Sequence, residues 1–142
     1  MSEKKIKTKI MIFGTFDGLH PGHLNFFKQA KNLAKNSLLI VSIARDLNVF
    51  KIKGAYPKLN EKKRLNLVKE NEIVDKVVLS GKADHLPHIR KESPDIIALG
   101  YDQKAYVKNL KNELKQIGLN VKIVRLRPYK EHIYKNSLLR KR

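Results

Sequence analysis

The chain has 142 residues and no cysteine, and its 31 Lys and Arg against 13 Asp and Glu give a net charge of +18. This length predicts one domain, over residues 1–142, with a core of its own. The lack of cysteine excludes disulfides, thiolate catalysis and cysteine-ligated metal sites. Met1–Lys9 is basic, and no apolar run reaches membrane-spanning length, so we expect a soluble, cytoplasmic protein.

The excess of positive charge favours an anionic partner, which could be nucleic acid, a membrane surface or a phosphorylated metabolite. The basic residues do not gather into one tract with interleaved aromatics, as nucleic-acid-binding segments do. Most of the lysines, such as Lys28, Lys35 and Lys115, are therefore expected only to solvate helix faces.

The first half of the chain alternates apolar runs with amphipathic segments. Strands are predicted at Ile10–Phe13 and Leu38–Ile43. The inner face of the helix between them is predicted to consist of Leu24, Phe27, Ala30, Leu33 and Ala34. The polar, basic stretch NVFKIKGAYPKL, residues 48–59, contains Gly54 and Pro57 and is predicted to be a loop.

A helix capped by Asn60 is predicted next, with Leu65, Leu67 and Val68 on it. Val77–Leu79 is predicted to be a third strand, and residues 83–92 a short helix that Pro87 interrupts or begins.

The unbroken apolar run Ile96–Leu99 is typical of a strand covered on both faces. An amphipathic helix is predicted over residues 105–117, with Gly118 after it, and a fifth strand at Val121–Leu126. Asn136 and Ser137 could cap a last short helix.

Strands that alternate with helices predict a Rossmann-like, open α/β sheet of five mostly parallel strands, with helices on both faces. Ligands bind such sheets at the carboxyl ends of the strands, where the strand order reverses. The candidate segments are therefore those that follow the strands, namely 14–23, 45–56, 100–104 and 127–137. All four are rich in Gly, Asp, His, Lys or Arg, and this favours an enzyme.

The segment GTFDGLHPGH, residues 14–23, joins the first strand to the first helix. Pro21 suits a first helical position, and Gly22 lets a ligand approach the backbone. The free N–H groups and the helix dipole favour an anion there, with the imidazoles of His20 and His23 as donors. Because the dipole disfavours imidazolium, we expect both rings to be neutral near pH 7.

Three other interpretations of this segment remain open. Asp17 and Gly18 could form only a turn, and either histidine could be an ordinary helix cap. A His pair could also bind a metal, but no third ligand and no HExxH pattern is evident.

The chain contains neither a P-loop nor GxGxxG, so the two commonest phosphate-binding loops are absent.

This segment resembles the HxGH signature of the nucleotidylyltransferase superfamily, whose fold is cytidylyltransferase-like. For the sheet, the resemblance implies the strand order 3-2-1-4-5. VSIARD, KIKG, PDIIALGYDQ and VKIVR are similar to segments of archaeal FAD synthases and of the related glycerol-3-phosphate cytidylyltransferases. The resemblance implies transfer of a nucleoside monophosphate from ATP or CTP to a phosphorylated acceptor, with release of pyrophosphate. FMN is the favoured acceptor, and a small phosphorylated alcohol is the alternative.

The resemblance also implies the site residues. His20, His23 and Lys53 would be catalytic, with Lys53 preferred to Lys51 in the loop after strand two. The nucleotide would be bound by Gly14, Thr15, Phe16, Asp17, His20, Gly22, His23, Gly100, Tyr101, Asp102, Gln103, Arg127, Asn136 and Ser137.

The C-terminal motif departs from the family. The glycerol-3-phosphate enzymes carry an RTEGISTT-like run, whereas this chain has Arg125, Arg127 and, after an insertion, Asn136-Ser137-Leu138. One hydroxyl position is thus lost to Leu138, which leaves a catalytically inactive relative as an alternative to an active enzyme.

Magnesium would bridge the phosphates, and a homodimer is implied by resemblance alone; neither nucleic acid nor a membrane is expected as a partner. A flavin also needs an apolar or aromatic slot, for which Phe50, Tyr56, Tyr101 and Tyr129 are candidates.

Overall fold

The computed structural model describes residues 6–81, 85–101, 103 and 109–128 of the chain. Its elements follow one another as β1 (Thr8–Gly14), α1 (Pro21–Lys31), β2 (Ser37–Ile43), α2 (Asp46–Lys53), α3 (Glu61–Lys69), β3 (Lys76–Leu79), α4 (His85–Glu92), β4 (Ile96–Leu99), α5 (Leu110–Gln116) and β5 (Lys122–Arg125). No helix in the described part is long and apolar enough to cross a membrane.

The strands form one parallel sheet in the order β3-β2-β1-β4-β5, which confirms the predicted fold class and strand order. The central pair is in register from Thr8 opposite Ser37 to Gly14 opposite Ile43. The chain thus leaves β1 towards β2 and β3 on one side and later reaches β4 and β5 on the other. The strand order reverses at β1, where the sheet opens a crevice.

Alternate residues of β1 supply two separate cores. Ile10 and Ile12 pack on one face with Phe27 of α1 and Val68 of α3. Met11 and Phe13 pack on the opposite face with residues of α4 and α5, among them Ile89 and Leu114. The sheet is therefore covered by helices on both faces, which explains why its central strands are continuously apolar.

The predicted inner face of α1 needs one correction, because Leu24 is 37% exposed. Phe26 is partly buried against the same core instead. Leu24 lies in the first turn of α1, next to the loop that leaves the carboxyl end of β1. Leu33 and Ala34 do pack on this core, although they follow the end of the helix.

The loop predicted after β2 is wrong in its first part, which belongs to the helix α2, Asp46–Lys53. Only Val49 of this helix is buried, while Leu47, Phe50 and Ile52 are exposed. The apolar residues therefore lack the one-sided pattern that identifies a helix in a sequence. Asp46 in the first turn and two lysines in the last turn suit the helix dipole.

The remaining boundaries differ in detail from the predictions. Asn60 caps α3 by accepting the N–H of Lys63 at 2.8 Å, as expected. Pro87 lies within the first turn of α4, where its missing N–H removes no helical bond. The fifth strand, Lys122–Arg125, is shorter than predicted, and the buried Val121 and Leu126 flank it. Residues 104–108 and the predicted C-terminal helix lie outside the described residues.

Candidate active site

A cavity of about 840 Å³ lies at the carboxyl ends of the strands, where the strand order reverses. Its walls come from the segments after β1, β2, β3, β4 and β5. Of the predicted site residues, it is lined by Gly14, Thr15, Phe16, Asp17, His20, Gly22, His23, Lys53, Gly100, Tyr101, Gln103 and Arg127. Asp102, Asn136 and Ser137 lie outside the described residues.

His20 and His23 form a capping box at the start of α1. The Nδ1 atom of His20 accepts the backbone N–H groups of Gly22 (3.0 Å) and His23 (3.4 Å). In return, Nδ1 of His23 accepts the N–H of His20 at 3.3 Å. The capping interpretation of both histidines is therefore correct, but it accounts for only one nitrogen of each ring.

The other nitrogens remain available for a ligand. A neutral imidazole whose Nδ1 accepts a hydrogen bond carries its proton on Nε2, so both rings are Nε2–H donors. Within the described part of the chain, neither Nε2 has a hydrogen-bond partner. The rings stack with centroids 3.8 Å apart and line the cavity together. The fold thus holds two donors side by side at the positive end of a helix.

His23 is held in its neutral form. Burial, and secondarily the charge that His20 would carry, lower the pKa of His23 to about 4. At neutral pH this ring can therefore donate a proton in a hydrogen bond without being an imidazolium.

Gly22 is required by the cap itself. A Cβ atom built on it would lie 2.8 Å from Cε1 of His20 and 3.0 Å from Nδ1. The close approach that the sequence suggested for a ligand is thus made by the imidazole of His20.

Phe16 anchors the loop between β1 and α1. Its side chain is only 5% exposed, and its ring meets those of His23 and Phe27 edge-on, at 5.3 and 5.4 Å between centroids. The ring folds back so closely that a Cβ on Gly14 would lie 2.6 Å from it. Phe16 also has a φ of 53°, a strained value for a bulky residue.

Asp17 ties two loops together. Its carboxylate accepts the N–H groups of Lys58 and Leu59, each at 2.7 Å. Desolvation acts to raise the pKa of the exposed Asp17, but these two bonds and the charges of Arg64 and Lys58 outweigh it, and the pKa is lowered. The carboxylate therefore holds the segment after α2 against the first loop.

Arg64 is a site residue that the sequence did not reveal. It is fully buried, and its guanidinium donates to the carbonyls of Thr15 (2.8 Å) and Leu59 (3.0 Å) and to the carboxylate of Asp46 (2.7 Å). It thus joins the first loop to the starts of α2 and α3. The sequence of α3 does not separate Arg64 from the neighbouring lysines, because Arg64 differs from them only in being buried.

The opposite wall is fixed by amide and guanidinium groups. The side chain of Gln103 donates to the carbonyl of Phe13 (2.8 Å) and accepts the N–H of Gly100 (2.7 Å). Arg125 donates to the carbonyls of Gly100 (2.8 Å) and Gln103 (2.9 Å). Gln103 and Arg125 therefore position the described residues after β4, among which Tyr101 has an exposed side chain.

Two cations reach the cavity from different elements. Lys53 is the last residue of α2, and Arg127 follows β5. The side chain of Gln29 in α1 fixes the backbone of Arg127, since it donates to the Arg127 carbonyl (2.8 Å) and accepts the Arg127 N–H (3.0 Å). Neither side-chain cation has an ion-pair partner in the described ranges. Lys51 does not line the cavity. Lys53 is therefore the better choice of the two lysines on grounds of position.

A polar cluster that the sequence did not indicate reaches the cavity through Ser80. The hydroxyl of Ser42 lies 2.6 Å from that of Ser80 and 2.8 Å from Nε2 of His88. Burial chiefly lowers the pKa of His88, although Glu92 opposes this. Arg45 donates to the carbonyl of Ser80 at 2.6 Å, so the cluster joins the ends of β2 and β3 to α4.

The described residues contain no cluster of three His, Asp or Glu side chains that could hold a metal ion. Asp17 is the single carboxylate among the described residues that line the cavity. A magnesium ion bound here would therefore depend on ligand phosphates and water, as this cation often does in nucleotide sites.

Comparisons with known proteins agree with this geometry. The cytidylyltransferase-like family model matches residues 11–141. The FAD synthase of Thermoplasma acidophilum is 38% identical over 134 residues, which cover 94% of this chain and 92% of that protein. The FAD synthase of Korarchaeum cryptofilum is 47% identical over 119 residues, 83% of this chain and 80% of the relative.

The crystal structure of a lipopolysaccharide core biosynthesis protein from Thermoplasma volcanium superposes with a TM-score of 0.80. It is 36% identical in sequence, and the match covers 87% of this chain and 98% of that one.

Proposed function

This chain belongs to the cytidylyltransferase-like family, and we propose on that premise that it transfers the adenylyl group of ATP to FMN, forming FAD and pyrophosphate. The identity to archaeal FAD synthases over most of both chains supports this choice of substrates. The observation that carries the proposal is the pair of stacked, Nε2-protonated imidazoles at the start of α1.

The two imidazoles bind the phosphates of ATP in this proposal. Their Nε2–H groups, with the helix dipole behind them, donate to phosphate oxygens on which negative charge develops during transfer. Because the Nδ1 atoms are already bonded to the backbone, the donors need no reorganisation when the reaction occurs. Lys53 and Arg127 supply positive charge from two other sides of the cavity.

The reaction itself needs no general base. An oxygen of the FMN phosphate, already an anion, attacks the α-phosphorus of ATP in line. The new P–O bond forms as the bond from the α-phosphorus to the bridging oxygen breaks, and pyrophosphate leaves with that electron pair. The site has to hold two anions together and oriented, which fits a cavity whose described lining carries cations and one carboxylate.

Magnesium would enter with ATP and reduce the charge of its phosphates. The loop of Gly100, Tyr101 and Gln103, fixed by Arg125, is where we place the adenosine. Arg125 donates to the carbonyls of these three residues, so the side chain of Tyr101 offers the contact surface.

The test is a matrix of substrates. Purified protein and Mg²⁺ are incubated with ATP or CTP, each with FMN or glycerol 3-phosphate, while pyrophosphate and FAD are measured by a coupled assay and by chromatography. We expect pyrophosphate and FAD in equal amounts from ATP with FMN. Pyrophosphate only from CTP with glycerol 3-phosphate would replace this proposal by cytidylyl transfer, and no release from any pair would indicate an inactive relative.

A further inference from the structure

Two tyrosines line the cavity, and they belong to segments that follow the two neighbours of β1 in the sheet. Tyr101 directly follows β4, and Tyr56 lies in the loop after α2, the helix that follows β2. Because β1 is between β2 and β4 in the sheet, the ends of those two strands are about 10 Å apart. Asp17 holds the segment after Tyr56 against the loop of β1, and the two histidines that follow this loop line the same cavity as both tyrosines.

The two tyrosines differ in whether another aromatic ring supports them. The ring of Tyr56 stacks on that of Phe50, with centroids 4.7 Å apart and planes 18° apart. Tyr56 lines the cavity and Phe50 does not, so Phe50 supports Tyr56 from outside. No aromatic ring in the described residues is stacked on Tyr101.

The wall that contains Tyr56 is apolar and exposed. Ile52, Ala55 and Pro57 line the cavity beside it. Tyr56 and Ile52 are 61% and 68% exposed, and Phe50 is 41% exposed. Large apolar side chains gathered in this way on a protein of net charge +18 are typical of a binding surface for a flat, apolar ligand.

We propose that Tyr56, supported by Phe50, is the platform on which the isoalloxazine ring of FMN stacks. This inference rests on the proposed function and assigns the acceptor to the α2 side of β1. The phosphate of FMN then lies near Lys53, at the end of α2, and the base of ATP takes the Tyr101 side. A phosphorylated alcohol without a ring gains nothing from this platform, so Tyr56 selects the acceptor.

The test compares variants of the two tyrosines by FMN fluorescence and by steady-state kinetics. Tyr56→Leu should raise the apparent constant for FMN about tenfold and abolish the quenching of FMN fluorescence on binding, while the constant for ATP stays within about twofold. Tyr56→Phe keeps a stacking ring and should bind FMN like the wild type. Tyr101→Leu should raise the constant for ATP and leave FMN quenching intact.

Leu47→Ala is the matched control, because Leu47 is an exposed apolar residue of α2, the helix that carries Phe50, and does not line the cavity. It should leave both constants unchanged, and thermal unfolding of each variant checks that it is folded.

Two results would overturn the inference in different ways. If the wild type forms FAD but Tyr56→Leu keeps the wild-type FMN constant and quenching, the platform is wrong and the proposed function stands. Loss of quenching in Tyr101→Leu alone would place the ring on the other wall. If the wild type neither quenches FMN nor forms FAD, both proposals are overturned.

Discussion

Each histidine of the HPGH segment uses its two ring nitrogens for different purposes. The Nδ1 atoms satisfy backbone N–H groups that the start of α1 would otherwise leave without partners. The Nε2–H groups are left for a ligand. Capping and phosphate binding, which from the sequence alone were alternatives, are compatible in one side chain because imidazole has two nitrogens at fixed separation.

Substitutions at His20 can separate these two roles. His20→Asn retains an acceptor suited to an N-cap, so the free energy of unfolding should change by less than about 0.5 kcal/mol. Turnover should nevertheless fall by about two to three orders of magnitude, since one donor to the transition state is lost. His20→Ala should show the same fall in turnover, and its free energy of unfolding should also fall by about 1 kcal/mol. His23→Ala should have similar effects on both quantities.

Urea unfolding and initial rates of FAD formation measure the two quantities. Near-wild-type turnover of folded His20→Asn would show that His20 only caps the helix.

The lowered pKa of His23 predicts a pH dependence of stability. The ordinary pKa of 6.5 applies to the unfolded chain, and burial, with the charge of His20, lowers the folded value to about 4. Between these pH values the unfolded state binds a proton that folded His23 does not. The stabilising contribution is therefore complete above about pH 6.5 and is lost as the pH falls towards 4.

His23→Gln should weaken this dependence. Glutamine suits the same position of a capping box but does not titrate. Urea unfolding at about pH 7 and about pH 5 should show a smaller loss for the variant than for the wild type. His88, whose pKa is also lowered, contributes equally in both proteins, so an identical loss would contradict the value for His23.

The helix α2 ends at Lys53, which lines the cavity. Lys51 and Lys53 both belong to its last turn, but only Lys53 lines the cavity. We therefore expect Lys53→Ala to raise the apparent constant for ATP or FMN about tenfold or more, with Lys51→Ala as its matched control. Steady-state kinetics with each substrate varied in turn provide the measurement. Equal, negligible effects would mean that both lysines only solvate the helix.

Arg64 holds together the elements around the site. Arg64→Met leaves Asp46 and two carbonyls without their buried donor, and we expect a loss of about 3 kcal/mol in the free energy of unfolding. Lys62→Met, at an exposed position of the same helix, should change it by less than about 0.5 kcal/mol. Chemical denaturation of the two variants compares them directly; similar small effects would show that the buried contacts of Arg64 contribute little.

The whole protein carries a net charge of +18. This charge should raise the rates at which two anionic substrates associate with it. Raising the salt from about 0.1 M to about 1 M shortens the screening length from about 10 Å to about 3 Å. We expect kcat/KM for FMN and for ATP to fall several-fold over this range, while kcat changes less. Thermal unfolding at each salt concentration controls for changes in folding, and a flat kcat/KM would mean that the charge only solvates the protein.

The parallel sheet and the HPGH segment at its centre could be predicted from the amino-acid sequence. They follow from local patterns, because apolar runs, caps and short links involve residues close together in the chain. The strand order, the family and its chemistry followed from the resemblance of contiguous motifs. The helix α2 could not be predicted in this way, because its apolar residues are spread around it and face the cavity and solvent instead of one core.

How the site is held, and which side chains face it, became clear only from the folded chain. Asp17 bonds to Lys58 and Leu59, and Gln103 to Phe13, across long stretches of chain. The burial of Arg64 and the stack of Tyr56 on Phe50 likewise depend on where separate elements meet. A sequence pattern reports the periodicity of one element, whereas these contacts arise only when the sheet brings the ends of its strands to one edge.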